Sequence, residues 1–256
     1  MIDYKVIPPP PDLKDVISHF WVGTWDAQSQ QGNSMYYIVA SSLMEITFAF
    51  KDHHHRPELL FSTVQGQANQ PAQFSVEGYS QLLGVSLYAH AVPGLFNIPA
   101  AELNNQFLTL NTFLGHEGDI LAERIALAKT TLERIGILAN YFKSLLYKRQ
   151  DKDQRIVKAI EYIRQQRGNA KVAELCKEFN LSQKQFERRF RDFSGFNPKM
   201  YARIVRFETA VNNYSGSGNL TELAYNSGYY DQAHFIHDMQ AFTGFSPRDF
   251  FKLSEG

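Results

Sequence analysis

"SQKQFERRFRDFSGFNP", residues 182–198, and "DQAHFIHDMQAFTGFSP", residues 231–247, are two copies of one pattern. In the first, Phe186, Phe190 and Phe193 fall at i, i+4 and i+7, which places three rings on one face of a helix. In the second, Phe235, Met239 and Phe242 share that spacing. Ser182 and Asp231 stand where a helix N-cap belongs. Both copies close on Gly-Phe-x-Pro, a glycine to stop one helix and a proline to open the next. A short helical run precedes each copy, with Val172, Leu175 and Phe179 making an apolar face before the first and "LTELAYNSG", residues 220–228, before the second. Asn180 suits the left-handed turn between the two helices of the first unit. The spacing therefore predicts a duplicated helix-turn-helix unit. A longer helix opened by Pro198 and carrying Tyr201, Ile204, Val205 and Phe207 joins the two. "RIVKAIEYIRQQ", residues 155–166, adds a helix with Ile156, Ile160 and Ile163 inward.

The first hundred residues read differently. "YYIVA", "LMEITFAF", "LLFSTVQG", "AQFSVEG" and "SQLLGVSLYAHA" are short, aromatic or β-branched, and separated by turn residues. Along the last, Leu83, Val85, Leu87 and Ala89 share one face, and Ser86, Tyr88 and His90 the other. "FSVEGYSQLL", residues 74–83, reads as a hairpin turning at 77–79. From about residue 117 to 147 the period becomes helical. Ile120, Leu121, Ile125, Leu127, Ala128 and Leu132 form one stripe; Ile137, Leu138, Tyr141, Phe142 and Leu145 form a second. These helices either pack back on the strands or pair with a second subunit, which makes a homodimer one expected partner. The fold expected is α+β: a cupin-like β-barrel or sandwich followed by helices, then an all-α part. "YKRQDK", residues 147–152, reads as the linker, giving domains 1–150 and 151–256.

The 256 residues have zero formal net charge, but the charge is not evenly spread. Residues 1–151 hold 10 Lys and Arg against 14 Asp and Glu; residues 152–215 hold 14 against 7; residues 216–256 hold 2 against 5. The basic middle block is the footprint of a polyanion partner, and its acidic flanks argue against indiscriminate coating of nucleic acid. No apolar run approaches a membrane span, the first residues lack a signal-peptide core, and one cysteine, Cys176, suits a reducing compartment. A cytoplasmic location is expected.

Two such units joined by one helix, each closing with Gly-Phe-x-Pro, resemble the DNA-binding domain of the AraC/XylS family of bacterial transcription regulators. The resemblance spans about residues 153–252. "VIPPPPDLKDVISHFW", "LLGVSLYAHAVPGLFNIPAAELNN" and the strand with Glu45 resemble an uncharacterised cupin-like sensor region attached to some of these regulators, although "ASS", residues 40–42, replaces the Pro-Asp-Gly turn many of them carry before that strand. The resemblance implies double-stranded DNA as partner, a small-molecule effector, and RNA polymerase as a further contact. By family position Lys184, Glu187 and Arg188 face bases, with Gln183 beside them, while Arg191 and Ser182 clamp phosphates. Arg188 can fork onto guanine and Glu187 can accept from cytosine. Lys199, Arg203 and Arg206 on the joining helix are candidate phosphate contacts, and Arg189 is expected to pair with an acid. In the second unit the corresponding positions are Gln232, Ala233, Ile236, His237 and Gln240.

That second set carries no permanent cation, since no Lys or Arg lies between Arg206 and Arg248. Three roles stay open for it: weak docking on DNA, bracing of the first unit, or binding another protein. Asp238 is expected to add a like charge facing phosphate, and protonation of His237 would add the missing positive one. Trp21, Trp25, Tyr88 and His90 are candidate walls of a ligand pocket. His53, His54 and His55 read as a hairpin tip, with a metal site built from one of them plus Glu45 or His90 as the sharper alternative. No phosphate loop, nucleophile elbow or HExxH motif is present, so no enzyme, catalytic residue, cofactor or metal is expected. A cupin-like metal enzyme with a vestigial helix-turn-helix, and a protein-interaction module, are the competing functions.

Overall fold

Alternation of side chains along the strands sorts the N-terminal half into two faces. The computed structural model describes residues 3–24, 34–53, 56–76, 80–148, 153–214, 216 and 219–255. Among the described residues are eight strands: β1 (Asp3–Ile7), β2 (Ile17–Thr24), β3 (Ser34–Ile38), β4 (Leu43–His53), β5 (Arg56–Gln65), β6 (Ala72–Val76), β7 (Gln81–Tyr88) and, after the short helix α1 (Val92–Phe96), β8 (Phe107–Thr109). Six form one antiparallel sheet ordered β1-β2-β7-β4-β5-β8; β3 and β6 pair separately as a ribbon. Phe20 and Val22 of β2, Met44, Ile46, Phe48 and Phe50 of β4, and Leu83, Val85 and Leu87 of β7 point to one side and are buried together. The expected hairpin over 74–83 does not form, because β6 pairs with β3 while β7 lies between β2 and β4. Its two halves belong to different layers, and its expected turn lies outside the described residues.

Three helices follow: α2 (Leu110–Leu114), α3 (His116–Leu127) and α4 (Thr131–Lys148). Leu121, Ile125, Leu138 and Phe142 join the core on the buried face of the sheet, so α3 and α4 pack back on the strands. The continuous stripe expected through Ala128 and Leu132 is interrupted. Ala128 is extended, with ψ 133°. Thr130 then caps a new helix by accepting from the Glu133 amide at 3.1 Å, while the Glu133 carboxylate accepts from the amides of Lys129 and Thr130. This capping box satisfies three helix-start amides, and local bonding outweighs the apolar period. Leu127 and Leu132 are left 75% and 79% exposed. The buried Arg134 ties α4 to the start of the central strand β7, donating to Gln81 Oε1 at 2.9 Å with its guanidinium 3.8 Å from the Phe50 ring centroid.

The second core is helical: α5 (Gln154–Gln165), α6 (Val172–Glu178), α7 (Gln183–Ser194), α8 (Pro198–Asn212), α9 (Leu220–Asn226), α10 (Gln232–Thr243) and α11 (Pro247–Glu255). Phe186, Phe190, Phe193, Phe235, Met239 and Phe242 are buried as the spacing required. The duplication reaches atomic detail. The Ser194 hydroxyl donates to the Phe196 carbonyl and accepts from its amide; the Thr243 hydroxyl likewise accepts from the Phe245 amide, with the Met239 carbonyl at 2.7 Å and the Phe245 carbonyl at 3.2 Å as acceptors. Gly195 and Gly244 take φ values of 81° and 79°, the left-handed stop that each copy needs.

Gly195 carries a second constraint. A Cβ there would collide with the side chain of the fully buried Gln67, which donates to the Ala100 carbonyl, whereas a Cβ at Gly244 meets only Pro71 at 3.6 Å. Both glycine-to-alanine changes should cost about 1–2 kcal/mol for the left-handed backbone. Gly195→Ala should cost about 1–3 kcal/mol more than Gly244→Ala, because the contact between the two halves must open. Urea unfolding of the two variants measures the difference.

Candidate nucleic-acid interface and interdomain cavity

With its three phenylalanines inward, α7 turns a polar face outward. Ser182 and Gln185 form a capping box at its start, each side chain bonded to the other's backbone amide. Lys184, Arg188 and Arg191 are exposed and have no ion-pair partner among the described residues. Glu187 accepts from Gln183 Nε2 at 2.9 Å across one helical turn. Arg189 points elsewhere and pairs with Asp153 at 3.2 Å, as expected. A cleft of about 490 Å³ runs along this face, walled by Lys184, Glu187, Arg188 and Arg191 on one side and by Pro99, Ala101 and Glu102 on the other.

Of the joining-helix candidates, Lys199 is exposed. Arg203 is committed: its Nη2 lies 2.6 Å from Oδ1 of Asp238, which is wholly buried. The expected like charge toward phosphate is thus turned inward, because Asp238 sits on the core side of α10 and needs a cation there. Arg206 donates to the Gly168 carbonyl at 3.0 Å and lies 5.5 Å from the Tyr229 ring centroid. On α10, Ala233, His237 and Gln240 are exposed and Ile236 half-buried, while Gln232 accepts from Thr221 Oγ1 at 2.8 Å. The two units present the same geometry with different charge.

The other face of the sheet is not simply apolar. Strand register sets four polar residues in a row: Gln65 of β5 opposite Glu45 of β4, Glu45 opposite Ser86 of β7, and Ser86 opposite His19 of β2. Ser86 donates to Glu45 Oε1 at 2.9 Å, and its hydroxyl lies 3.4 Å from His19 Nε2. Gln65, Glu45 and His19 of this row floor a cavity of about 660 Å³, bounded also by Tyr4, Val6, Tyr37 and Ile38 and roofed by Phe207, Glu208 and Val211 of α8. Glu208 closes the roof. Its Oε1 accepts from the Ser42 amide at 2.6 Å and the Ser41 hydroxyl at 3.3 Å, and its Oε2 from the Ser42 hydroxyl at 2.7 Å. Arg164 of α5 stands at the rim with its guanidinium 3.7 Å from the Tyr88 ring centroid. Burial raises the carboxyl pKa of both Glu45 and Glu208, opposed by their hydrogen bonds, and lowers that of His19.

The pocket residues expected from the sequence are only partly brought together. Tyr88 and His90 stack at 5.4 Å and line an adjoining pocket of about 460 Å³ with Arg164 and Glu208. Trp21 packs its indole over Gly84 instead, stacked on Tyr4. Trp25, His54 and His55 lie outside the described residues. Glu45 and His53 are eight residues apart on β4, roughly 26 Å along an extended strand, so they cannot share an ion. Among the described residues no group of three or more His, Cys, Asp or Glu is placed to hold a metal. Arg164, Glu208 and Gln65 were missed: their meeting depends on strand register and on a helix 140 and more positions away, and neither leaves a periodic signal. Cys176 is half-buried on α6, and burial raises its thiol pKa.

Glu45 makes stability depend on pH. Its folded pKa is raised above the usual 4.5, so the folded state keeps a proton that the unfolded chain has released. Its contribution therefore falls as pH rises from about 4.5 through the raised value. Glu45→Gln should flatten the decline of Tm as the pH rises above about 4.5 and change it little below that, as followed by calorimetry.

Comparison with known proteins supplies two domain matches and a fold. Residues 175–253 match the family described as "Helix-turn-helix domain". Residues 5–109 match a "Domain of unknown function (DUF6597)". No curated protein sequence matches the chain. Three crystal structures of ToxT from Vibrio cholerae are similar over most of their length. The wild-type protein with bound unsaturated fatty acid aligns at TM-score 0.52 and 12% identity, over 90% of this chain and 94% of that one. A 1.65 Å structure aligns at 0.51 and 11%, over 91% and 98%. A third, bound to (E)-4-(8-methylnaphthalen-1-yl)but-3-enoic acid, aligns at 0.50 and 10%, over 98% of both. At these identities the likeness concerns the fold alone: a sheet-based half followed by an all-helical half.

Proposed function

We propose, from the helix-turn-helix match over residues 175–253, that the chain is an AraC-type transcription regulator that binds double-stranded DNA mainly through α7 while its N-terminal half holds a small molecule. One observation carries the DNA reading. Lys184, Arg188 and Arg191 have no ion-pair partner among the described residues and stand on the outer face of a helix whose inner face is locked by three phenylalanines. A helix presented in this way can enter a major groove with its N-terminal residues on base edges. Arg188 offers the planar fork that matches guanine O6 and N7. Glu187 would exchange its bond from Gln183 for a cytosine amine, and Arg191 and Ser182 lie where phosphates would pass. Lys199 adds a phosphate contact; Arg203 and Arg206 act by holding α8 to its neighbours rather than by touching DNA.

In this scheme the second unit follows the groove without a cation of its own. Ile236 and Ala233 suit thymine methyl groups, and His237 occupies the outermost position. The chain is then divided near residue 150, it works in the compartment that holds DNA, and its chemistry is binding rather than catalysis. Effector binding by the N-terminal half is supported by the cavity of about 660 Å³ beneath α8, a volume suited to a small molecule. The two ligand-bound ToxT structures belong to proteins of the same architecture. RNA polymerase and a second copy of the chain are the remaining partners in this scheme.

Selection of bound sequences from random duplex DNA at a stated salt concentration tests the reading. One enriched motif is expected. Arg188→Ala should weaken binding by about 1–3 kcal/mol and relax preference at a single base pair. Lys199→Ala should weaken all sequences alike and lower the salt slope by about one. An absence of any enriched motif would overturn the regulator reading.

A further inference from the structure

The polar row under α8 has an excess of carboxylate and a deficit of partners. Glu45 Oε1 is held by Ser86, but among the described residues no group donates to its Oε2. Gln65, its neighbour across the strand, is only 9% exposed, lines the cavity and makes no side-chain hydrogen bond among the described residues. Its amide therefore opens into the cavity with no protein partner among the described residues, where the polar group of an occupant can meet it. Across the cavity Glu208 is saturated by Ser41 and Ser42. The nearby cation, Arg164, acts on Glu208 and sits over Tyr88, which leaves Glu45 without a counter-charge. His19 at the end of the row is kept toward its neutral form by burial. Of the other lining residues, Tyr4, Tyr37, Ile38, Phe207 and Val211 are aromatic or aliphatic, while Ser18 and Asn212 are polar.

We propose that this cavity binds a small organic cation, a primary or secondary ammonium on an apolar body, with the ammonium donating to Glu45 Oε2 and the Gln65 side-chain oxygen and the apolar body lying between Tyr4, Tyr37 and Phe207. An ammonium supplies the two or three donors that the row lacks and the charge that Glu45 lacks. Aromatic walls attract a cation as well as its hydrocarbon. A carboxylic acid placed there would set a third carboxyl beside two that burial already disfavours as anions. The proposal rests on the reading of the N-terminal half as the holder of a small molecule, and names the chemistry of that molecule.

The test uses the full-length protein at pH 7.5 with matched pairs of probes: hexylammonium and hexanoate, 2-phenylethylammonium and 3-phenylpropanoate, 1-adamantylammonium and adamantane-1-carboxylate. Calorimetric titration and thermal shift should show saturable binding of at least one ammonium at one per chain, with its carboxylate partner silent. Glu45→Gln keeps the shape and the Ser86 contact, and should weaken that ammonium about thirty-fold or more, as expected when a buried charge loses its partner. Gln65→Leu should weaken it by a smaller factor. The proposal is overturned if no ammonium of the panel binds, if the carboxylates bind in their place, or if Glu45→Gln binds as the parent does. Selection from random DNA runs in parallel on the same protein. An enriched motif without ammonium binding removes the ligand proposal alone, and ammonium binding without a motif removes the regulator reading alone.

Discussion

One buried carboxylate anchors the contact between the two halves of this protein beside the polar face of the sheet. Glu208 projects from the helix that joins the two helix-turn-helix units and takes three hydrogen bonds from Ser41 and Ser42, at the entrance to β4. Beside it the Ala40 amide donates to the Phe242 carbonyl at 2.9 Å, and Ala40 is buried with the helical core rather than with the sheet. Hydrogen bonds to a charged acceptor are worth about 1.5–3 kcal/mol each, but burial opposes the charge they need, and the raised pKa of Glu208 records that opposition. The contact therefore places one body on the other more than it adds stability. Its geometry decides where α8 sits, and α8 is the roof of the cavity.

That arrangement gives the cavity mechanical meaning. Its floor is the polar row of the sheet; its roof is the helix that joins the two helix-turn-helix units and packs against both α7 and α10. An occupant that touches Glu45 and the underside of α8 contacts both bodies at once. Such an occupant shifts the relation between them by the difference in its contacts in each arrangement, and by nothing else. A second seam lies nearby, where the end of α7 meets the N-terminal half. Asn104 donates to the Gly195 carbonyl at 3.3 Å, and Gln67 fills the space left by the missing Cβ of that glycine. The cleft beside Arg188 opens next to this seam, so the outer face of α7 and the 99–102 segment of the N-terminal half share a border.

The asymmetry of the two units has a structural cause as well as a compositional one. The cation nearest α10, Arg203, is spent on Asp238, and both lie between α8 and α10. The pair fixes the second unit against the joining helix. The first unit needs no such pair, since Asp153 and Arg189 hold it at its other edge and leave the outer cations uncommitted. One scaffold thus appears twice, once with its charge turned outward and once with its charge turned inward.

Much of this was legible in the sequence. The inward faces of α7 and α10, the caps at Ser182 and Asp231, the left-handed Asn180 and the repeated Gly-Phe-x-Pro turns all follow from local rules: each is decided by residues within a few positions of one another. The break at Ala128 was local too, in the Thr130 and Glu133 capping box, but an apolar period extending across it concealed it. What only the tertiary structure decided is non-local. Strand order separated β6 from β7 and aligned Gln65, Glu45, Ser86 and His19, because register across three strand pairs is set by packing of the opposite face. The inward turn of Asp238 needed Arg203 from another helix, and the cavity needed Glu208 from the other half of the chain. Local chemistry determines which helices form and which faces they bury; the meeting of distant carboxylates depends on how the two cores are set against each other, and no spacing along the chain encodes that distance.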